Sequence, residues 1–153
     1  MGSPCVANFA AMNTTPIITG LDYWQGRDSQ YRMDWTEEIK RNADDLLLRI
    51  NLLLPFMVGV DFEAHPVTRS LVSSGWRPPS VNAGIPNAAP RSKHITGQAI
   101  DLFDPDGDLD AWCMDHLDKL EQCGIWLEHP SATKGWSHMQ SVPPKSGKRV
   151  FYP

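Results

Sequence analysis

Cysteine is scarce in this chain: there are three, Cys5, Cys113 and Cys123, and no two form a CxxC pair. A disulfide framework is thereby excluded, and the three read as reduced, buried thiols. Long apolar runs are lacking too. The longest, Leu52 to Val60, is interrupted by Pro55 and falls well short of the ~18 residues of a membrane-spanning helix, so membrane insertion is not expected. Positive charge is not in excess: 14 Lys and Arg stand against 18 Asp and Glu, and the basic residues are scattered. Without a basic stripe to follow a phosphate backbone, nucleic acid is excluded as the expected partner. The start of the chain has no basic segment leading into an apolar core, so no signal peptide is read, and Val6 breaks the myristoylation pattern that Met1-Gly2 opens. What is there is ordinary globular composition, 41% hydrophobic and 21% charged, in 153 residues. That length suits one domain able to bury a core unaided.

Residues 1–33 show no apolar period and are read as an irregular N-terminal arm, with a single domain over 34–153. From Asp34 a helix is predicted, because Ile39, Ala43, Leu46, Leu47, Ile50, Leu53 and Leu54 recur at helical spacing. Asp34 with Glu37 resembles a capping box, and Pro55 stops the helix. Its other face, with Glu38, Lys40, Arg41, Asp45 and Arg49, reads as solvated. Residues 73–90 are dense in Gly, Pro, Ser and Asn and read as a long ordered loop with one helical turn near Ser80 to Ala83. A second helix carries Leu109, Trp112, Cys113, His116, Leu117 and Leu120 and ends at Gly124. Short strands are predicted at Ala99 to Phe103, Ile125 to Glu128 and Trp136 to Gln140. The expected class is α+β: a small, mostly antiparallel sheet with helices on one side and a cleft on the other.

The informative stretch is 92–101, SKHITGQAID. Asp101 lies inside an apolar strand on the face shared by Ala99 and Phe103, where an unpaired carboxylate is costly. A cation resolves this. Gly97 lets the chain turn sharply, so that His94 can come back towards Asp101. His138, in the strand-like WSHMQ, supplies a third ligand, and two imidazoles with one carboxylate suit zinc better than calcium or magnesium.

The pattern SxHxxGxAxD, preceded by Ser74-Gly75-Trp76-Arg77 and followed by Trp136-x-His138, resembles the zinc D-Ala-D-Ala carboxypeptidase and endopeptidase family that acts on bacterial peptidoglycan, whose fold is shared with the hedgehog signalling domain. The match covers about 73–153. The resemblance implies that His94, Asp101 and His138 hold Zn2+, that Arg77 holds the developing oxyanion or a substrate carboxylate, and that Ser92 orients the ligand loop by a hydrogen bond. Several relatives place an acid three residues before the last ligand and an aspartate two residues after it; here those positions are Gly135 and Gln140. The general base is therefore expected at Glu128, the end of the strand before His138, with His129 beside it as an alternative proton donor. The ending PPKSGKRVF, 143–151, is similar to small phage-encoded members. It implies an endolysin or virion-associated wall-cutting enzyme, present in the host cytoplasm before lysis or in the virion. Such an enzyme acts as a monomer on a stem peptide or cross-link, with virion proteins as further partners.

Each assignment has a plainer rival. Arg77 could pair with Asp61 or Glu63, and Glu128 could be a surface carboxylate. His65 and His116 read as structural. The run DPDGDLD, 104–110, superficially resembles a calcium loop but lacks the downstream bidentate Glu, and a turn with a helix N-cap explains it. Trp76, Trp126 and Trp136 fit either core packing or a cleft wall. At the level of function, the competing expectation is a zinc-stabilised binding or structural module of a virion without turnover.

Overall fold

The computed structural model describes residues 15–153; Cys5 and the start of the expected arm lie outside the described residues. Five strands form one sheet in the order β1-β2-β4-β3-β5: β1 (Val72–Ser74), β2 (Ala99–Asp104), β3 (Trp126–Glu128), β4 (Gly135–Gln140) and β5 (Val150–Phe151). All neighbours are antiparallel except β3 and β5. With helices gathered around this small sheet, the class is α+β.

The two faces of the sheet differ because side chains alternate along each strand. Ile100 pairs with Met139, which also pairs with Leu127, and Leu102 pairs with Val72; all five are fully buried. These residues join the helices in the core. The opposite face carries Asp101, Phe103, Trp136 and His138, with Asp101 opposite His138 and Phe103 opposite Trp136. One face makes the core and the other makes the site.

Among the described residues eight short or medium helical segments surround the sheet: α1 (Gly20–Trp24), α2 (Arg27–Gln30), α3 (Glu37–Leu53) with a 3-10 turn (Leu54–Phe56), α4 (Pro79–Ala83), α5 (Asp108–Asp115), α6 (Leu117–Cys123) and a second 3-10 turn (Pro130–Ala132). The long helix α3 starts at Thr36, whose hydroxyl accepts the Ile39 N–H at 3.2 Å, rather than at the expected Asp34. Glu37 and Glu38 complement the positive end of its dipole. Ala43, Leu46, Leu47, Ile50 and Leu53 are buried, as their spacing predicts. Pro55 does not end the helical path abruptly, since its missing N–H is tolerated early in the 3-10 turn. Arg49 is not on a solvated face: its Nη1 donates to the carbonyls of Gly124 (2.7 Å) and Ser141 (2.9 Å), tying α3 to α6 and to the end of β4.

Residues 20–30, expected within an irregular arm, form α1 and α2. Thr19 and Asp22 make a reciprocal capping box, and Tyr23 is fully buried with its hydroxyl donating to the Ala99 carbonyl at 2.8 Å. A helix of five residues is too short to show a period. The second predicted helix is two, α5 and α6, broken at His116, and α6 ends on left-handed Gly124 as expected. His116 has a structural place there, stacked on Trp112 at 4.1 Å. In the acidic run 104–110, both Asp104 oxygens accept backbone N–H groups, from Leu109 (2.9 Å) and Asp110 (3.0 Å), which is the expected turn and cap. The helical turn predicted near Ser80 to Ala83 is α4.

Candidate metal centre

Each ligand candidate is placed by a different element. Asp101 is central in β2, and His138 faces it across the β2–β4 ladder. His94 comes from the turn before β2, and Gly97 makes the reversal with φ +76°. A Cβ at Gly97 would stand 2.9 Å from the Ile39 carbonyl, so α3 presses directly on the ligand turn, where Asn42 also donates to the Thr96 carbonyl at 3.0 Å. Behind the site, α1 approaches Gly75 so closely that any Cβ there would overlap the Tyr23 carbonyl. Trp76 is fully buried, packs against Trp35 with the rings tilted at 4.8 Å and donates from its indole to the Ile95 carbonyl at 2.9 Å. It belongs to the core, not to a cleft wall.

The three side chains converge. His94 Nε2 lies 3.2 Å and His138 Nδ1 lies 2.8 Å from the same Asp101 oxygen, Oδ1, and the three candidate ligand atoms all lie within 4.8 Å of one another. The protonation of each imidazole follows from its outer nitrogen. His94 Nδ1 is 2.8 Å from the Gly75 carbonyl, which can only accept, so Nδ1 carries the proton and Nε2 keeps its lone pair. For His138 the reasoning runs through Gln140. The Gln140 amide donates to the Val142 carbonyl at 2.8 Å, which turns its Oε1 towards His138 Nε2 at 3.3 Å and leaves Nδ1 turned to Asp101. Two imidazole nitrogens and one carboxylate oxygen thus face a common point, a donor set that fits zinc.

Arg77 closes the other side of Asp101. Its Nη2 is 3.1 Å from Asp101 Oδ2, its Nε donates to Ser74 Oγ at 2.9 Å and its Nη1 to Asn82 Oδ1 at 3.4 Å. Neither Asp61 nor Glu63 is its partner. Of the five guanidinium N–H groups, three are committed to this frame, and the remaining two are all that an oxyanion role can draw on. Ser92 Oγ accepts the His94 backbone N–H at 3.2 Å, the orienting bond expected of it.

The electrostatics follow from burial and proximity. Burial pushes Asp101 up, but the charges and hydrogen bonds of His94 and His138 outweigh it and hold the carboxyl well below the usual range. Burial dominates at His94 and lowers it. At His138 burial pulls the same way, but the Asp101 bond prevails and raises it. Glu128 is raised, by burial first, with His138 opposing and Asp101 adding.

The triad lies in the wall of an open cavity of about 850 Å3 that Glu128, Phe103, Trp136 and Phe151 also line. Trp126↔Gln140 and Leu127↔Met139 set the β3–β4 register, and one further step brings Glu128 abreast of His138. Asp101, His138 and Glu128 are therefore a row across three adjacent strands.

No family model, curated protein or solved structure matches the chain. The motif resemblance accordingly stands on the residues quoted for it.

Among the other candidates, His129 is absent from the cavity lining; its ring stacks on Tyr152 at 4.5 Å and its Nδ1 meets Ser131 Oγ at 2.8 Å. Trp126 packs under the Arg149 guanidinium at 4.5 Å. His65, expected to be structural, borders the cavity edge-on to Phe103 at 5.0 Å, while its Nδ1 accepts the Val67 N–H at 3.1 Å. Cys113 and Cys123 are free and buried. Gln140 and Asn82 were not legible as site residues. A glutamine at 140 appeared in the sequence only as a departure from aspartate, and Asn82 lies in the five-residue α4, too short for its buried side to show as a period. No helix among the described residues is long and apolar enough to cross a membrane.

Proposed function

We propose that this protein is a zinc metallopeptidase of the hedgehog and D-Ala-D-Ala-peptidase type that hydrolyses a peptide bond in bacterial peptidoglycan. The observation that carries the reading is the row Asp101, His138 and Glu128 beside His94 on the wall of an open cavity. A purely structural zinc site has four protein ligands and is closed, whereas three ligands on an accessible wall leave a position for substrate or water. The SxHxxGxAxD pattern with Arg77 supports the peptidoglycan assignment.

His94, Asp101 and His138 would hold the zinc, which when bound would supply Lewis acidity for the scissile carbonyl and lower the pKa of water towards neutrality. Glu128 takes the proton from the attacking water and passes it to the leaving amine; its raised pKa suits both halves of that task. Arg77 acts first as a positioning residue, holding Asp101 Oδ2 so that Oδ1 stays turned to the imidazoles. Its two uncommitted N–H groups are the donors for a developing oxyanion. Gly75 and Gln140 keep the imidazole protons on the outer nitrogens.

Purified murein treated with the zinc-loaded protein should release peptide fragments, with loss on chelation and recovery on adding zinc. Glu128→Gln should bind zinc as the wild type does and lose at least about 100-fold in turnover, the usual contribution of a general base. Zinc binding without release of fragments by the wild type overturns the peptidase reading in favour of a non-catalytic module.

A further inference from the structure

A second row of side chains crosses the site face of the sheet. Phe103 and Trp136 face each other on β2 and β4, two residues along from the Asp101–His138 pair, which places them about 7 Å from it. Both line the cavity, and Trp136 is 37% exposed. From the connection that leads into β1, the half-buried His65 ring meets Phe103 edge-on, with 5.0 Å between centroids.

His65 is held by its own turn. Its N–H donates to the Ser70 carbonyl at 2.7 Å, its carbonyl accepts the Arg69 N–H at 2.8 Å, and the Thr68 hydroxyl donates to the Val72 carbonyl at 2.7 Å. Arg69 takes a left-handed φ of +61°, a cost that only a closely bonded turn sustains. Inside the turn, His65 Nδ1 accepts the N–H groups of Val67 (3.1 Å) and Thr68 (3.4 Å). An acceptor at Nδ1 puts the proton of the neutral ring on Nε2. That N–H has no hydrogen-bond partner among the described residues, and the ring borders the cavity. The row is therefore aromatic and carries one fixed donor at its edge.

A sugar, with hydroxyls all round, needs several polar partners. A peptide unit needs less: ring faces for an apolar side chain, and one donor for its carbonyl. Because an extended peptide advances about 3.3–3.6 Å per residue, a scissile carbonyl at the metal position puts the unit about two residues away over this row. Resting on the metallopeptidase reading, we infer that His65, Phe103 and Trp136 form a subsite for an uncharged, alkyl-bearing peptide unit about two residues from the scissile bond, with His65 Nε2–H donating to its backbone carbonyl.

The probe is a synthetic stem pentapeptide, titrated by calorimetry into the full zinc-loaded chain carrying Glu128→Gln so that binding is read without turnover. Adding His65→Asn keeps an acceptor for the Val67 N–H, since an Asn side chain closes the same kind of turn, and removes the donor at the cavity. It should weaken the peptide roughly three- to tenfold, the worth of one hydrogen bond. Adding Trp136→Ser instead should weaken it by a similar factor through loss of the ring face. Zinc affinity, by competition with a chromophoric chelator, and the melting temperature should match the parent in both. No peptide binding, binding unchanged in either variant, or a loss that tracks loss of zinc or of the fold overturns the subsite. The peptide-free disaccharide of murein should not bind; if it binds and Trp136→Ser releases it, the row is a glycan platform and the peptide assignment falls. Wild-type turnover is scored separately. Cleavage whose KM and kcat ignore His65→Asn removes the subsite and leaves the peptidase standing, and peptide binding that depends on His65 without any cleavage does the reverse.

Discussion

At residue scale, the site depends on groups that do not face the metal position. An imidazole has two nitrogens, and which one is free is decided by the partner of the other. Gly75 settles this for His94 with a backbone carbonyl, which no substitution of side chain removes, and Gln140 settles it for His138 with a side chain. Gln140→Leu keeps all three ligands and removes only the acceptor. It should weaken zinc binding about 10- to 100-fold, as second-layer partners of metal ligands typically do, measured by competition with a chromophoric chelator. Unchanged affinity would mean that the tautomer is set otherwise. The expected aspartate at this position is not required for the purpose, since an amide oxygen accepts the same N–H.

At the scale of elements, the ligand turn is clamped between α3 and β2. Gly97→Ala introduces a left-handed alanine and also brings a Cβ within 2.9 Å of the Ile39 carbonyl. Strain of about 1–2 kcal/mol plus the clash should lower stability by at least roughly 2 kcal/mol and reduce zinc affinity with it, read by denaturant titration and metal competition. On the core side of the sheet, α5 meets β4 through a buried carboxyl. Asp110 accepts from the Thr133 hydroxyl at 2.9 Å, and burial pushes it up to about 6. The Ser137 and Thr133 hydroxyls temper that rise, and the nearby Asp104 and Glu128 charges add to it. Because the folded pKa exceeds the unfolded one, this group favours the fold below about pH 4 and loses that contribution as pH rises through about 6. Asp110→Asn should therefore gain stability relative to the wild type between pH 4 and 7, with little difference at pH 4, in parallel thermal melts. A constant offset across that range would contradict the assignment.

At the scale of the whole molecule, the described residues before 34, from 15 onward, pack as part of the domain. Tyr23 fills the core and bonds β2, its carbonyl accepts the Trp76 N–H at 3.1 Å, and Arg27 donates to the Trp76 carbonyl at 2.8 Å. Removing residues 1–33 strips these braces from the strand and turn that carry Asp101 and Arg77. The shortened chain should lose cooperative unfolding, and Tyr23→Phe alone should cost about 1–2 kcal/mol by leaving a buried acceptor short of its donor, both measured by circular dichroism melts. A shortened chain that melts as the full one does would restore the arm as a separate appendage.

The strongly patterned parts were legible in the residues themselves. The stripe of α3, Gly124 as the end of α6 and the alternation of β2 are local regularities, and burial of one helix face or one strand face follows from them directly. The turn at Gly97 and the grouping of His94, Asp101 and His138 as candidate ligands were also readable, because a carboxylate in an apolar strand demands a counter-charge. The two-residue β5, the five-residue α1 and the break at His116 carry too few residues to show a period. The link from Arg77 to Asp101, the His138–Gln140 bond and the row ending in Glu128 are products of strand register. Register places residues far apart in the chain on one face, and it is settled by the packing of the whole sheet.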